Sequence, residues 1–393
     1  MRKIMIILLL IAVLSAIFPG RILAESDYDF EPNKIFEDQL DGLDLSTLQT
    51  FINQIDRDVG EYIPEINPGK IIKDMREGRL DLGFSTILNG LIKYLLHELI
   101  AHSSLMGKLV ILSVLCAVLS SLLDAFEGST GKIAHTMIYF VLITIALGSF
   151  TMAVNIGRNT IDQMVSLVQA LLPILLTLLA AVGGISSTAI LHPFLIAALG
   201  LLGTLIKNFV LPMIYFFAIL TAANHINPKF RVSRLAALFK DIGVASLGLF
   251  LTLFVGFLGL QGIAGAVADS VTLKTAKFMT GTFIPVVGKT LADALEVVIG
   301  TSLLLKNAVG LVGVIILFIL CAFPLIKIIS MVIIYRLAAS LIQPFGDNEV
   351  ADALHAMGNA LTLVFAAVTG VALMFFMAIS VIVGMGNINV MLR

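Results

Sequence analysis

Gln163-Met-Val-Ser-Leu-Val-Gln-Ala-Leu-Leu-Pro173-Ile-Leu-Leu-Thr-Leu-Leu-Ala-Ala-Val-Gly183-Gly184-Ile-Ser-Ser-Thr-Ala-Ile-Leu-His-Pro193-Phe-Leu-Ile-Ala-Ala-Leu-Gly-Leu-Leu-Gly-Thr-Leu-Ile206 holds no Asp, Glu, Lys or Arg in 44 residues. As one helix it would extend about 66 Å at 1.5 Å per residue, roughly twice the ~30 Å of bilayer hydrocarbon. Gly183-Gly184 is the natural break. Charge-free intervals continue on both sides, at 133–154, 208–221, 244–263, 308–326, 328–342 and 361–384. The interval 105–123 joins them if Lys108 snorkels to the interface. The expected fold class is therefore an all-α polytopic membrane protein with about eight to ten spans.

Composition agrees. Apolar residues make up 59% and charged residues 13%, with a net charge of −1, outside the soluble-globular range. Nothing in that balance points to nucleic acid. Trp is absent, so interfacial anchoring falls to Tyr, Lys and Arg. Cys116 and Cys321 sit in apolar stretches and read as small core hydrophobes, not as a disulfide or metal pair.

The N-terminal side is different. Residues 1–24 have signal-peptide anatomy: Arg2 and Lys3, an apolar run from Ile4 to Phe18, then Pro19-Gly20 before Ala24. Of 26 acids, 15 lie between Glu25 and Asp81, so 25–86 is an acidic extracytoplasmic helical region. Leu45, Leu48, Phe51, Ile52, Ile55 and Val59 recur at helical spacing, Ser46 and Gln49 form a capping box, and Asn67-Pro68-Gly69 ends the unit. Its core is too small to promise independent stability. In 87–104, Ile87/Leu88, Leu91/Ile92, Leu95/Leu96 and Leu99/Ile100 make an apolar stripe with Lys93, His97, Glu98 and His102 off it. That pattern predicts an amphipathic interfacial helix. A first membrane hairpin follows at 105–158.

Lys229, Arg231, Arg234 and Lys240 lie between two apolar intervals and mark the cytoplasmic side. The remaining body reads as an internal duplication, with membrane repeat 1 at 159–263 and repeat 2 at 264–393. Pro173 and Pro212 are 39 residues apart, as are Pro285 and Pro324. Each half holds four crossings, or two if its first segment is re-entrant and the next two join. Both counts are even, so the halves should run parallel, with 229–242 and 347–357 on one face.

Little suggests chemistry. His97 and His102 are five apart, about 140° around a helix, so they cannot share a zinc as His pairs four apart do. Gly128-Ser-Thr-Gly131-Lys132 lacks the first glycine of a phosphate loop and the hydroxyl residue after its Lys. No nucleophile–base arrangement is visible; the expectation is no enzyme, no cofactor and no metal. The polar segment 269–306 is the exception. Asp269, Lys274, Lys277, Lys289, Asp293, Glu296 and Lys306 occur there between spans, and Lys289, Asp293 and Glu296 share one helical face. Charges at membrane depth face protein or water, so the segment is either a wetted surface helix or the wall of a polar passage or subunit contact. Lys207 and Lys327 should snorkel to a membrane face, and Arg336 should reach an acid such as Asp352.

Gly262-Ile-Ala-Gly-Ala-Val-Ala-Asp269-Ser-Val-Thr-Leu-Lys274-Thr-Ala-Lys277-Phe, then Phe283-Ile-Pro-Val-Val-Gly-Lys289, then Ser302-Leu-Leu-Leu-Lys306-Asn307, resemble the stage III sporulation protein AE family of endospore-forming bacteria. The resemblance covers most of the chain and is most specific at 262–307. It implies a multi-pass protein of the mother-cell membrane around the forespore. It also implies a secretion-like channel complex, assembled with sister stage III sporulation membrane proteins and a forespore-membrane partner, that supports forespore development. The expected state is then a hetero-oligomer in the lipid bilayer. No catalytic residue is carried over from that family. A stand-alone secondary transporter for an ion or small solute is the alternative, supported by the duplicated body.

Overall fold

A computed structural model describes residues 32–79, 83–125, 129–224, 232–283, 288–345 and 348–391; the signal-peptide region, Lys229 and Arg231 lie outside them. The chain forms helices α1 (Pro32–Asp41), α2 (Ser46–Val59), α3 (Pro68–Arg76), α4 (Phe84–Ala101), α5 (Ser103–Ala125), α6 (Ser129–Ala181) and α7 (Ile185–Leu205). A single π-helical turn, Ile206–Val210, joins α7 to α8 (Leu211–Asn224). Then come α9 (Ser233–Phe283), α10 (Gly288–Ile342) and, after a 3₁₀ turn, α11 (Asn348–Met391). The polytopic all-α class is observed.

Among the described residues, five helices are long and apolar enough to cross a membrane, or six if the pair α4–α5, bent by 42°, makes one span. The sequence count of eight to ten treated each charge as a span end. The fold does not: α6 runs unbroken through Arg158 and Asp162, and α10 through Lys306 and Lys327. A helix satisfies its own backbone hydrogen bonds, so a charge on one face does not break it. For the same reason 158–159 and 263–264, the expected unit boundaries, fall inside α6 and α9. Gly183-Gly184 does break the chain, with Gly183 at φ +96°, where a side chain is disfavoured.

α6, α9 and α10 hold 53, 51 and 55 residues, each about 80 Å long. They pack through small residues. On α6, Gly157 lies against Val364 and Val368 of α11; on α10, Gly310 lies against Val383. Gly370 of α11 faces Leu247 and Leu251 of α9, while Gly262 and Gly265 of α9 face Val381 and Met385. The contacts ascend together, so α9 and α11 run parallel. Their starting ends, carrying Arg234 and Lys240 on one and Glu349 and Asp352 on the other, therefore sit at one end of the bundle. Arg336 does not reach Asp352; it donates to Asn359 and Thr362, both at 3.3 Å, because those residues face it across the α10–α11 seam.

The acidic head is helical, as expected, with Phe36, Leu48, Ile52, Ile55 and Ile72 buried. Two local expectations change. The capping box does not form: Asp44 accepts the Ser46 amide at 3.0 Å, and Gln49 turns to Asn53. The Ser46 hydroxyl and amide hold the Asp44 carboxyl below its ordinary range. Asn67-Pro68-Gly69 starts a helix instead of ending the unit. Asn67 accepts the Lys70 amide at 3.1 Å with Pro68 in the first helical turn, the usual place for both residues.

The head docks along α10. Ser302 donates to Gln39 of the head at 3.3 Å, and Tyr94 of α4, the helix that follows the head, meets Phe323 edge-on at 4.8 Å. At Gly90 a Cβ would stand 1.8 Å from the Tyr62 carbonyl oxygen, so α4 reaches the head only because that position has no side chain. Gly90→Leu should therefore cost about 1–3 kcal/mol of docking. Limited proteolysis in detergent would read this as faster cleavage within 32–79. Gly107→Leu, which meets nothing within 4 Å, should leave the cleavage rate unchanged.

Candidate functional site

One polar level crosses the bundle. On α6, Asn155, Arg158, Asn159, Asp162 and Gln163 interrupt two apolar blocks. Lys207, in the π-helical turn, pairs with Asp162 at 2.7 Å. π-turns occur frequently at functional sites. On the far side, Lys327 of α10 lies 3.8 Å from Glu98 of α4, and Glu98 lies 3.4 Å from His102. The Lys327 ammonium also stands 6.0 Å from the Tyr94 ring centre, and Tyr94 packs edge-on to Tyr62 at 5.0 Å. Glu98 is buried, so its two basic neighbours offset the loss of water around its charge.

Between the head and this level lies a cavity of about 320 Å³. Gln54 and Asp58 of α2, Asn159, Thr160 and Gln163 of α6, and Lys327 supply its polar wall; Leu320, Phe323 and Pro324 supply an apolar one. Ion pairs, amides and hydroxyls of this kind can hold water or a polar solute in place. Among the described residues, no group of three or more His, Cys, Asp or Glu is placed to hold a metal.

The residues singled out in the sequence stand elsewhere. Asp269 is buried, and its carboxylate accepts the Ser186 and Ser187 amides at 2.8 and 3.1 Å and the Ser187 hydroxyl. An acid on α9 thus caps the start of α7, where free N–H groups favour negative charge. Lys306 is fully buried and donates to the Val383 carbonyl at 2.8 Å. Both belong to helix packing, and neither lines the cavity. The side chains of Lys274, Lys277, Lys289, Asp293 and Glu296 lie outside the described ones; their backbone is helical, at the end of α9 and the start of α10. Arg234 and Lys240 are exposed on the first turns of α9.

Sequence reasoning took Lys207, Lys327, Glu98 and His102 one at a time, and the fold gathers them. A signal for the two lysines was available. Leu205-Ile206-Lys207, Ile214-Tyr215 and Ala218 recur as Leu325-Ile326-Lys327, Ile334-Tyr335 and Ala338, always 120 residues apart. Both tyrosines meet the same stretch of α6: the Tyr215 hydroxyl lies 3.1 Å from that of Thr151, and Tyr335 donates to the Ala146 carbonyl at 2.6 Å.

Removing the Asp269 cap should be costly. Asp269→Ala leaves two backbone N–H groups without their acceptor, about 1–3 kcal/mol each when buried, and should lower the unfolding temperature in detergent. Asp269→Asn retains an oxygen acceptor and should lose less. Equal melting of both variants and the parent would remove the capping role.

A family model described as stage III sporulation protein AE matches residues 66–386. A stage III sporulation protein AE of Bacillus subtilis (strain 168) is 40% identical over 352 residues, covering 89% of this chain and 88% of that one. No solved structure matches.

Proposed function

We propose that this chain, which belongs to the stage III sporulation protein AE family, is an integral membrane subunit of a channel or secretion-like complex linking mother cell and forespore and required for forespore development. Its acidic head lies on the extracytoplasmic side, between the two membranes. Sister stage III sporulation membrane proteins and a forespore-membrane protein are its partners. The observation that carries this reading is the docking of the head and α4 along α10, where Ser302 donates to Gln39 of the head and Lys327 lies 3.8 Å from Glu98 of α4. A small acidic region is thereby held by a helix that also belongs to the multi-pass body, and a contact made by the head is felt in the bundle.

The polar stretch between Asp269 and Lys306, with Lys274, Lys277, Lys289, Asp293 and Glu296, serves this complex as a subunit contact or passage wall, where α9 gives way to α10. A duplicated body would serve the same reading; the recurrence around Lys207 and Lys327 supports one at an offset of 120 residues, a different register from the 112 of the paired prolines, and Tyr215 and Tyr335 both meet α6. That recurrence also favours the second reading, a stand-alone secondary transporter. Liposomes holding the purified chain separate the two: solute flux without partners favours the transporter. Silence there, with copurification of sister subunits from sporulating cells in mild detergent, favours the channel subunit.

Two further outcomes are expected. Lys289→Leu combined with Asp293→Leu should insert normally and fail to support sporulation; normal spore yield would end the role given to that segment. A cysteine replacing Lys70 in the head should react with a membrane-impermeant maleimide in intact cells. One replacing Leu235 should react only after permeabilisation, and the reverse pattern would invert the orientation.

A further inference from the structure

The cavity of about 320 Å³ between the head and the polar level is walled by two matched pairs of polar side chains. Gln54 and Asp58 stand four apart on α2, and Asn159 and Gln163 four apart on α6, so each pair shares one face of its helix. Side chains spaced this way can bond to each other. Gln49 and Asn53 do so on the exposed face of α2, at 3.0 Å. Neither cavity pair does. Among the described residues, the side chains of Gln54, Asp58, Asn159 and Gln163 form no hydrogen bond within the chain.

The same wall carries two opposite charges that do not meet. Asp58 and Lys327 line one space, yet no ion pair joins them among the described residues. The Lys327 ammonium lies 3.8 Å from Glu98, beyond hydrogen-bonding distance, so its N–H donors stay available. A simple anion here would lie beside Asp58, and a simple cation beside Lys327. A molecule bearing both an ammonium and a carboxylate satisfies both charges without that conflict. The remaining lining sets its body. Ile55, Val59, Ile319, Leu320 and Phe323 are buried apolar residues of the cavity. Water needs only polar partners, whereas small-molecule sites combine apolar lining with a few placed polar groups. The volume is at the low end of the roughly 300–1,000 Å³ such sites span, so the ligand is small.

We propose that this cavity binds a free amino acid with an apolar side chain, held as its zwitterion. Asp58 takes the ammonium and Lys327 the carboxylate. The amides of Gln54, Asn159 and Gln163 supply the remaining hydrogen bonds, and the side chain lies against Leu320 and Phe323. α2 belongs to the head, while α6 and α10 belong to the membrane body. The ligand therefore bridges the two, and its binding favours the docked head by mass action. The inference takes nothing from the channel reading, because the cavity binds its ligand whether or not solute crosses the membrane.

The test is equilibrium dialysis of the purified full chain in mild detergent with radiolabelled L-leucine, whose binding should saturate. Two analogues compete against it: 4-methylpentanoate, which lacks the ammonium, and 3-methylbutylamine, which lacks the carboxylate. Each loses one charge-assisted contact and should compete about tenfold less well or worse. Saturating leucine should also slow cleavage within 32–79 in limited proteolysis, because the bound ligand holds the head. Asp58→Asn provides the second measurement. Asp58 is exposed, so the melting temperature without ligand should hold, while leucine binding weakens about tenfold and the protection of 32–79 is lost. Three results would each overturn the proposal: no saturable leucine binding, which would leave the cavity to water; equal competition by all three compounds; and leucine binding that Asp58→Asn leaves unchanged. None of them bears on copurification with sister subunits, so the channel reading stands or falls separately.

Discussion

A helix rises 1.5 Å per residue, and bilayer hydrocarbon is about 30 Å thick. Helices of 51–55 residues are therefore more than twice as long as the layer they must cross. The rest of the architecture answers to that mismatch. The polar level at Arg158, Asp162, Lys207 and Lys327 divides the bundle into two apolar tiers, and the head lies along one of them beside α10. α6 and α10 pass through that level as unbroken helices, so the division there is made by side chains.

Side chains at that level hold separate elements together. Lys207–Asp162 ties the π-helical turn to α6, and Lys327–Glu98 ties α10 to the helix that leads out of the head. Neither pair is fully exposed, and each lies where an apolar tier begins. Their attraction is therefore screened less than that of a surface pair. The cavity beside Lys327 lies where head, α6 and α10 converge.

The deep acid and the deep lysine do a different job. Asp269 and Lys306 sit in the interior with backbone partners: the free amides at the start of α7 for one, the Val383 carbonyl within α11 for the other. A charge in an apolar sequence can thus reflect either a route for solute or a backbone group of a neighbouring helix. Only the identity of its neighbours separates the two.

The sequence alone determined the all-α membrane class, the break at Gly183-Gly184, the helical acidic head and the apolar settings of Cys116 and Cys321. It did so because burial in hydrocarbon leaves its mark residue by residue. Periodicity also marked the stripe of α4, whose Leu88, Ile92, Leu96 and Ile100 do face outward. Tertiary structure decided which apolar blocks join into single helices, which partner each charge finds, and that Asn67 opens a helix. Those outcomes depend on residues tens to hundreds of positions apart, such as Asp162 with Lys207 or Glu98 with Lys327. Hydropathy has no term for a partner that distant, and the pairing exists only once the helices have packed.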